Sequence, residues 1–598
     1  MSRARYSIGA ASAALVFGVV ASGTGACGDD RGGFGGPPEG FDVVSDAGAD
    51  AEVCLSQCSL DGRAVVDSCT GEVQETCADD KACGAAKCQD LCEAAAADKS
   101  STGCEFYFAA PRFEYWPLQS CHAVFVVNAS NQPAALSLEF RGQTLDLSRS
   151  AYRAVPNSTD LELLDGPIAP GESAIVFVSD RDQSKSRTLG EKADYISCPN
   201  AVKPAIQEDF QTFGSDIGPA FHLTSNVPVG LTSMFPYGGA ASYTPSATLV
   251  FPVSAWAKEH MIVNGWEVSG SWKPTTQIYA AEDGTEVTII GKKAIASGTG
   301  FKGAAAGTPA KLTLAKGQFA QIVQSEELTG SVVLSNKPTI TLGGNTCANI
   351  PAGAGACDTL AQQIPPYEQW GSEYVGVSYR PRTSGKDELI YYRIVGGRDG
   401  TELDYDPVKP AEAPLTLNAG ELVVFRARAG EPFVVRSRDA DHPFYLGMHM
   451  SGGRDSQPGA QNYAGMGDPE FVNVVAAHQY RSSYSFYADS TYRENSLVII
   501  RKSVRGEFKP VWLECAGELT DFIPIGTRGE YEYRRVDLSR GFKPGEKFGD
   551  KQCIAGLQRM RSEGAFSATI WGWDLFASYA YPGGMAIRKL VDTPLDLR

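Results

Sequence analysis

Three blocks of this chain repeat the same order of turn, strand and proline, and that recurrence limits the fold more than any single motif. The segments PIAPGESAIVFVSD, TLAKGQFAQIVQSE and LNAGELVVFRARA each set a turn glycine (Gly171, Gly317, Gly420) and a polar residue before an apolar strand. A proline-led strand follows each block, SNVPVGLTSMF, SNKPTITLGGN and ADHPFYLGMHM, with Pro228, Pro338 and Pro443 spaced 110 and 105 residues apart. Proline at the head of a strand withholds a donor where no ladder bond is yet needed, so these prolines are read as strand starts. An aromatic-anchored strand comes next, with Trp256, Trp370 and Tyr480 in matching places. Asp283-Gly284 and Asp399-Gly400 then suit tight hairpin turns that require positive φ.

Alternation of apolar and polar residues, as in AVFVVNASN and AALSLEF, continues from Cys104 onward, without a helical stripe longer than two turns. A chain of 598 residues exceeds what one core can serve. The expected fold class is therefore all-β: tandem β-sandwich-like repeat modules over residues 105–598, with a propeller-like arrangement as the alternative. Near the end, WGWDLFASYAYPGG has the form of another copy. Alternation sets Trp571 and Trp573 on one face, opposite Ile570. Such a pair either stacks on a ligand or closes a sheet core, and the core is expected.

Residues 54–104 have a different texture. Eight of the 15 cysteines lie there, without a C-x-x-C pair and without histidine, which argues against zinc. Some fifty residues with few large apolar groups need staples, so a small disulfide-rich module is expected, its connectivity open. The sparse remaining cysteines pair by proximity: Cys121 with Cys198, Cys347 with Cys357, and Cys515 with Cys553.

Arg3 and Arg5 precede a short apolar run, Ile8 to Val20, which suits a signal peptide. Gly25 and Ala26 before Cys27 resemble a bacterial lipobox, although Thr24 stands where leucine is usual. This predicts a lipoprotein signal peptide over 1–26, lipidation of Cys27, a flexible tether over 27–53, and a lipid-anchored chain in the bacterial cell envelope, at the outer membrane or cell surface. The net charge of −17 repels phosphate backbones, so nucleic acid is not an expected partner.

The search for catalytic motifs returns little. Gly298 to Gly303, GTGFKG, matches a dinucleotide-binding pattern, but Gly307 and Pro309 prevent the helix that such a site needs. The six histidines form no metal-ligand spacing. The acidic run with Asp399, Glu402, Asp404 and Asp406 lacks the spacing of a recognised calcium loop and reads as a solvated edge. No catalytic residue, cofactor or metal site is assigned.

The segments YAAEDGTEVTI, CDTLAQQIPPYEQWGSEYV, YYRIVGGRDGTEL, GDPEFVNVVAAHQYRSSYSFY and IWGWDLFASYAYPGG, in this order, resemble the IgGFc-binding protein N-terminal domain family in its bacterial surface lipoprotein version, over roughly residues 200–590. The resemblance implies an extracellular binding protein without implying any particular ligand residue. The expected role is noncatalytic adhesion or ligand binding at the cell surface, with a protein or glycan partner and a membrane contact through the lipid. A glycan-active hydrolase and a structural envelope component are the alternatives. Fold alone does not choose among these.

Overall fold

The structure, a computed structural model, describes residues 54–595 apart from 60–61, 115–119, 156–159, 182–194, 209, 211, 384, 386 and 455–461. These residues belong to one compact unit. The expected signal peptide (1–26), the expected lipidation site Cys27 and the expected tether (27–53) lie outside the described residues.

Four modules follow one another, over residues 102–250, 257–364, 373–473 and 481–582. Each opens with a strand (Thr102–Phe108, Ala257–Met261, Glu373–Gly376, Arg481–Ala488), runs through antiparallel hairpins, and returns along a long strand. The long strands are Phe221–Phe235, Val332–Ala348 and Gly556–Asp574, and the third module divides its own into Phe433–Ser437 and Phe444–Met450. In the second module the first part of the long strand pairs with the opening strand, His260 opposite Val333. The later part pairs with the final strand, Leu342 opposite Gln363. One strand thus changes partners within a single sheet, which folds that sheet over into a sandwich-like corner. Gly284 and Gly400 take φ of +64° and +68° at the hairpin tips, as the Asp-Gly pairs predict.

Pro228 and Pro338 do not start strands. Each lies inside a long strand at a break in the ladder, the first between Thr224 and Val229, the second between Leu334 and Thr339. The missing donor does no harm where the strand changes partners, so the proline marks the crossing rather than the beginning. Only Pro443 directly precedes its strand, because the third module breaks there. In the fourth module the same crossing, between Arg561 and Phe566, holds Gly564.

Each module ends in a short final strand: Ser246–Val250, Asp358–Ile364, Glu470–Asn473 and Ala577–Pro582. These four contact one another in chain order, and the last contacts the first. The sandwich-like modules are therefore closed into a four-part, propeller-like ring. Neighbouring final strands belong to different sheets and share no ladder, so side-chain amides bind them. Gln362 Nε2 donates to the carbonyls of Ala247 (2.8 Å) and Ala580 (3.0 Å), and Asn473 Nδ2 donates to that of Gln363 (2.8 Å). Glu470, on the third final strand, is fully buried, and among the described residues its Oε2 has no hydrogen-bond partner. Burial pushes its carboxyl well above the usual carboxylate range, against the lowering effect of the Phe471 and Ala580 backbone amides.

Single 3₁₀ turns, Val253–Ala255, Tyr367–Gln369 and Ala477–Gln479, lead from final strands into Trp256, Trp370 and Tyr480, the aromatic anchors of the repeat. A closing segment, residues 585–595, runs past the openings of all four modules. Ser101 N donates to Met585 O (2.8 Å) and Ile587 N to Lys99 O (2.7 Å). Ala586 N donates to Gln479 O (2.9 Å), Leu590 N to Glu368 O (2.7 Å), and Leu595 N to Glu259 Oε2 (2.9 Å).

The cysteine-rich segment forms a three-stranded sheet (Ser56–Cys58, Ala64–Asp67, Val73–Thr76), a hairpin (Lys81–Gly84, Lys87–Asp90) and one helix, Leu91–Asp98. Its bridges are Cys54–Cys69, Cys58–Cys83, Cys77–Cys88 and Cys92–Cys104. Cys104 lies on the opening strand of the first module, so the last bridge staples the helix to the ring.

Trp571 and Trp573 are both fully buried. They pack on Tyr379 of the third module at ring-centroid distances of 4.7 and 5.7 Å, and Arg380 lies 4.8 Å over Trp573. Ile570, from the opposite face, joins a second core that the first and fourth modules share. The segment closes a core on both faces.

Candidate functional site

Where the first and fourth modules meet, a cleft of about 430 Å³ opens. Register makes its floor. Ser483 stands opposite Arg561, and Arg561 opposite Trp512, so three strands that are distant in sequence present one row of side chains. The next row holds Ser485 and Arg559. The facing wall comes from the first module, with Ser101, Thr102, Asn128 and Thr232 among its lining residues.

Among the described residues, three arginines and no carboxylate line the cleft. Arg559 grips Glu514 in a bidentate pair and donates from Nη1 to the Gly171 carbonyl (3.3 Å), which ties the floor to the opposite wall. The exposed Arg561 lays its guanidinium 4.7 Å over the Trp512 ring. Arg481 is half-buried and reaches Ser101 Oγ at 3.4 Å. Burial lowers its pKa; Tyr484 and Asp98 act against this, whereas the nearby Arg588 charge adds to it. Among the described residues neither Arg481 nor Arg561 forms an ion pair. In a chain with net charge −17, such a site is locally inverted in sign.

Of the cleft residues, the turn glycine Gly171 was singled out from sequence, but none of the arginines, nor Trp512 or Ser483, was. The available signal was Arg559 and Arg561 two positions apart in GLQRMRSE, a cationic stripe on one strand face. That Trp512 and Ser483 join it depends on strand pairing, which local sequence does not show.

The residues that sequence did single out lie elsewhere. Cys121–Cys198, Cys347–Cys357 and Cys515–Cys553 are bridged, with Cα–Cα distances of 4.7, 5.1 and 4.8 Å. The Gly298–Gly303 loop makes a bridge between Gly298 and Phe301, and no helix follows. The acidic run does not converge. Asp399 accepts from Ala419 N (2.9 Å), Asp404 pairs with Arg528 (2.6 Å), and Asp406 accepts from Thr527 N (2.9 Å), so two of its members join the third module to the fourth. His122 and His260 are buried, and burial lowers their pKa to about 3 and about 4. His222 stacks on Tyr107 between Glu105 (2.9 Å) and Glu139 (3.1 Å), and its neighbourhood lowers the Glu105 carboxyl.

The family described as IgGFc binding protein matches residues 246–572, more than half of the chain, from the first final strand into the last long strand. A curated relative, the IgGFc-binding protein of Homo sapiens, is 26% identical over 189 residues, which are 32% of this chain and 3% of that protein. The chain thus spans a small fraction of that relative's length. Among solved structures, the viral chemokine binding protein R17 encoded by rodent gammaherpesvirus Peru aligns over 55% of this chain and 84% of its own. At 8% identity and a TM-score of 0.12, this likeness carries no argument.

Proposed function

This chain belongs to the IgGFc-binding protein family, and on that premise we propose that it is a noncatalytic, lipid-anchored binding protein of the bacterial cell surface. Its ligand is an extracellular protein or glycan, held in the cleft between the first and fourth modules. The observation that carries this reading is the cleft itself: a concave, preformed site of ligand size where, among the described residues, Arg481 and Arg561 stand outside ion pairs, whereas Arg426 and Arg428 on another surface pair with Glu412 and Asp387. Among the described residues no carboxylate or histidine lines it, so these residues do not present the paired acids of a glycosidase. Adhesion follows if the ligand is fixed to a neighbouring cell or matrix.

The test is a combined protein and glycan array probed with the full chain. Reproducible capture of at least one extracellular ligand, competed by excess free ligand, is the expected result. Capture of nothing, or turnover of a captured glycan, would overturn the reading.

A further inference from the structure

We propose that the cleft recognises an acidic saccharide, one whose carboxylate or sulfate is clamped by Arg561 and Arg481. The inference rests on the binding reading above and narrows it to one ligand class. Planar guanidinium groups suit oxyanions because they donate two parallel hydrogen bonds, and both carboxylate and sulfate accept them. Arg561 is held over Trp512 at 4.7 Å, so its planar group is oriented before any ligand arrives. Arg481 enters the cleft from the fourth module's opening strand and, among the described residues, only the Ser101 hydroxyl meets its Nη1. Arg559 is the contrasting member: its charge is already met by Glu514, which leaves it to hold the floor.

The rest of the lining points to a saccharide rather than an acidic peptide. Hydroxyl side chains surround the arginines, Ser101, Thr102 and Thr232 on one wall and Ser483 and Ser485 on the floor. Such groups match a ligand rich in hydroxyls, each able to donate or accept. A bound peptide would need apolar anchor pockets, and the large apolar side chains here are mostly buried beneath the floor, as Tyr484 and Met560 are.

The experiment is calorimetric titration of the full chain with four probes: a heparin-derived hexasaccharide, an oligogalacturonate, a neutral maltohexaose and a polyglutamate peptide. The expected result is binding of the sulfated or the carboxylated saccharide, which identifies the source of the anion, with weakening as salt rises. Arg561→Gln removes a charge-assisted contact and should weaken binding by about tenfold or more, with an unchanged thermal midpoint because the side chain is exposed. Arg481→Gln should weaken it similarly, whereas Arg398→Gln in the third module should leave it unchanged. Equal affinity for maltohexaose or polyglutamate, or wild-type affinity in Arg561→Gln, would overturn the assignment. If the array captures some other ligand while all acidic saccharides fail here, this inference falls and the broader binding reading stands. An array that captures nothing removes both.

Discussion

Two kinds of buried residue set what single substitutions do to this molecule. Trp571 and Trp573 fill the junction between the third and fourth modules, and among the described residues neither indole Nε1 has a hydrogen-bond partner, so their role is packing. Truncating a buried aromatic costs about 3–5 kcal/mol. Trp571→Ala and Trp573→Ala should each lower the thermal midpoint clearly, and ligand capture by the surviving folded protein should persist, since neither lines the cleft. Glu470 is the opposite kind, a buried acid on the ring's inner strands. Its carboxyl titrates well above the ordinary value of 4.5, so above that pH the unfolded chain releases a proton that the folded chain retains. The contribution of Glu470 to stability should therefore fall as pH rises from about 4.5 toward its raised folded value. Glu470→Gln has no proton to lose. Melting curves taken over this range should show the variant gaining on the wild type with rising pH, and a constant gap would contradict the assignment.

At the scale of elements, the closing segment 585–595 decides whether four modules behave as one. It bonds to the openings of all of them and buries Ile587, Val591 and Leu595. Removing residues 588–595 takes away two of these side chains, each contributing roughly 1.5–3 kcal/mol of burial. The truncated chain should melt earlier, and hydrogen exchange should quicken in the Tyr367–Gln369 and Ala477–Gln479 connectors, to which the removed residues bond. Unchanged protection there would show that the connectors hold themselves. Much at this scale was legible beforehand. Turn glycines, Asp-Gly hairpins and aromatic anchors announce themselves because local backbone demands them. The long strands were not, since Pro228 and Pro338 carry the same local signal at a strand start and at a partner change. The cleft was hidden for a related reason: Ser483, Arg561 and Trp512 become neighbours only through register, and the eye follows Trp571 and Trp573, whose aromatic density turned out to mean core.

On the scale of the whole molecule, the proposed function assigns the binding face to the ring and its attachment to an anchor at Cys27. The anchor is tested at Cys27. Mass spectrometry of the membrane fraction should find the lipid on an N-terminal Cys27 peptide, and Cys27→Ser should shift the protein out of that fraction. A soluble wild-type protein with a free Cys27 thiol would refute the anchor. One consequence of the ring concerns time rather than energy. The cleft lies on the seam where the first module meets the fourth, and Ser101 on one side and Gly583 and Gly584 on the other belong to its lining. These residues are separated by nearly the whole described chain, and the segment that fastens them is made after every module. A copy cut before Gly583 therefore lacks one side of the cleft, so the proposed recognition is gained only after the fourth module has folded against the first.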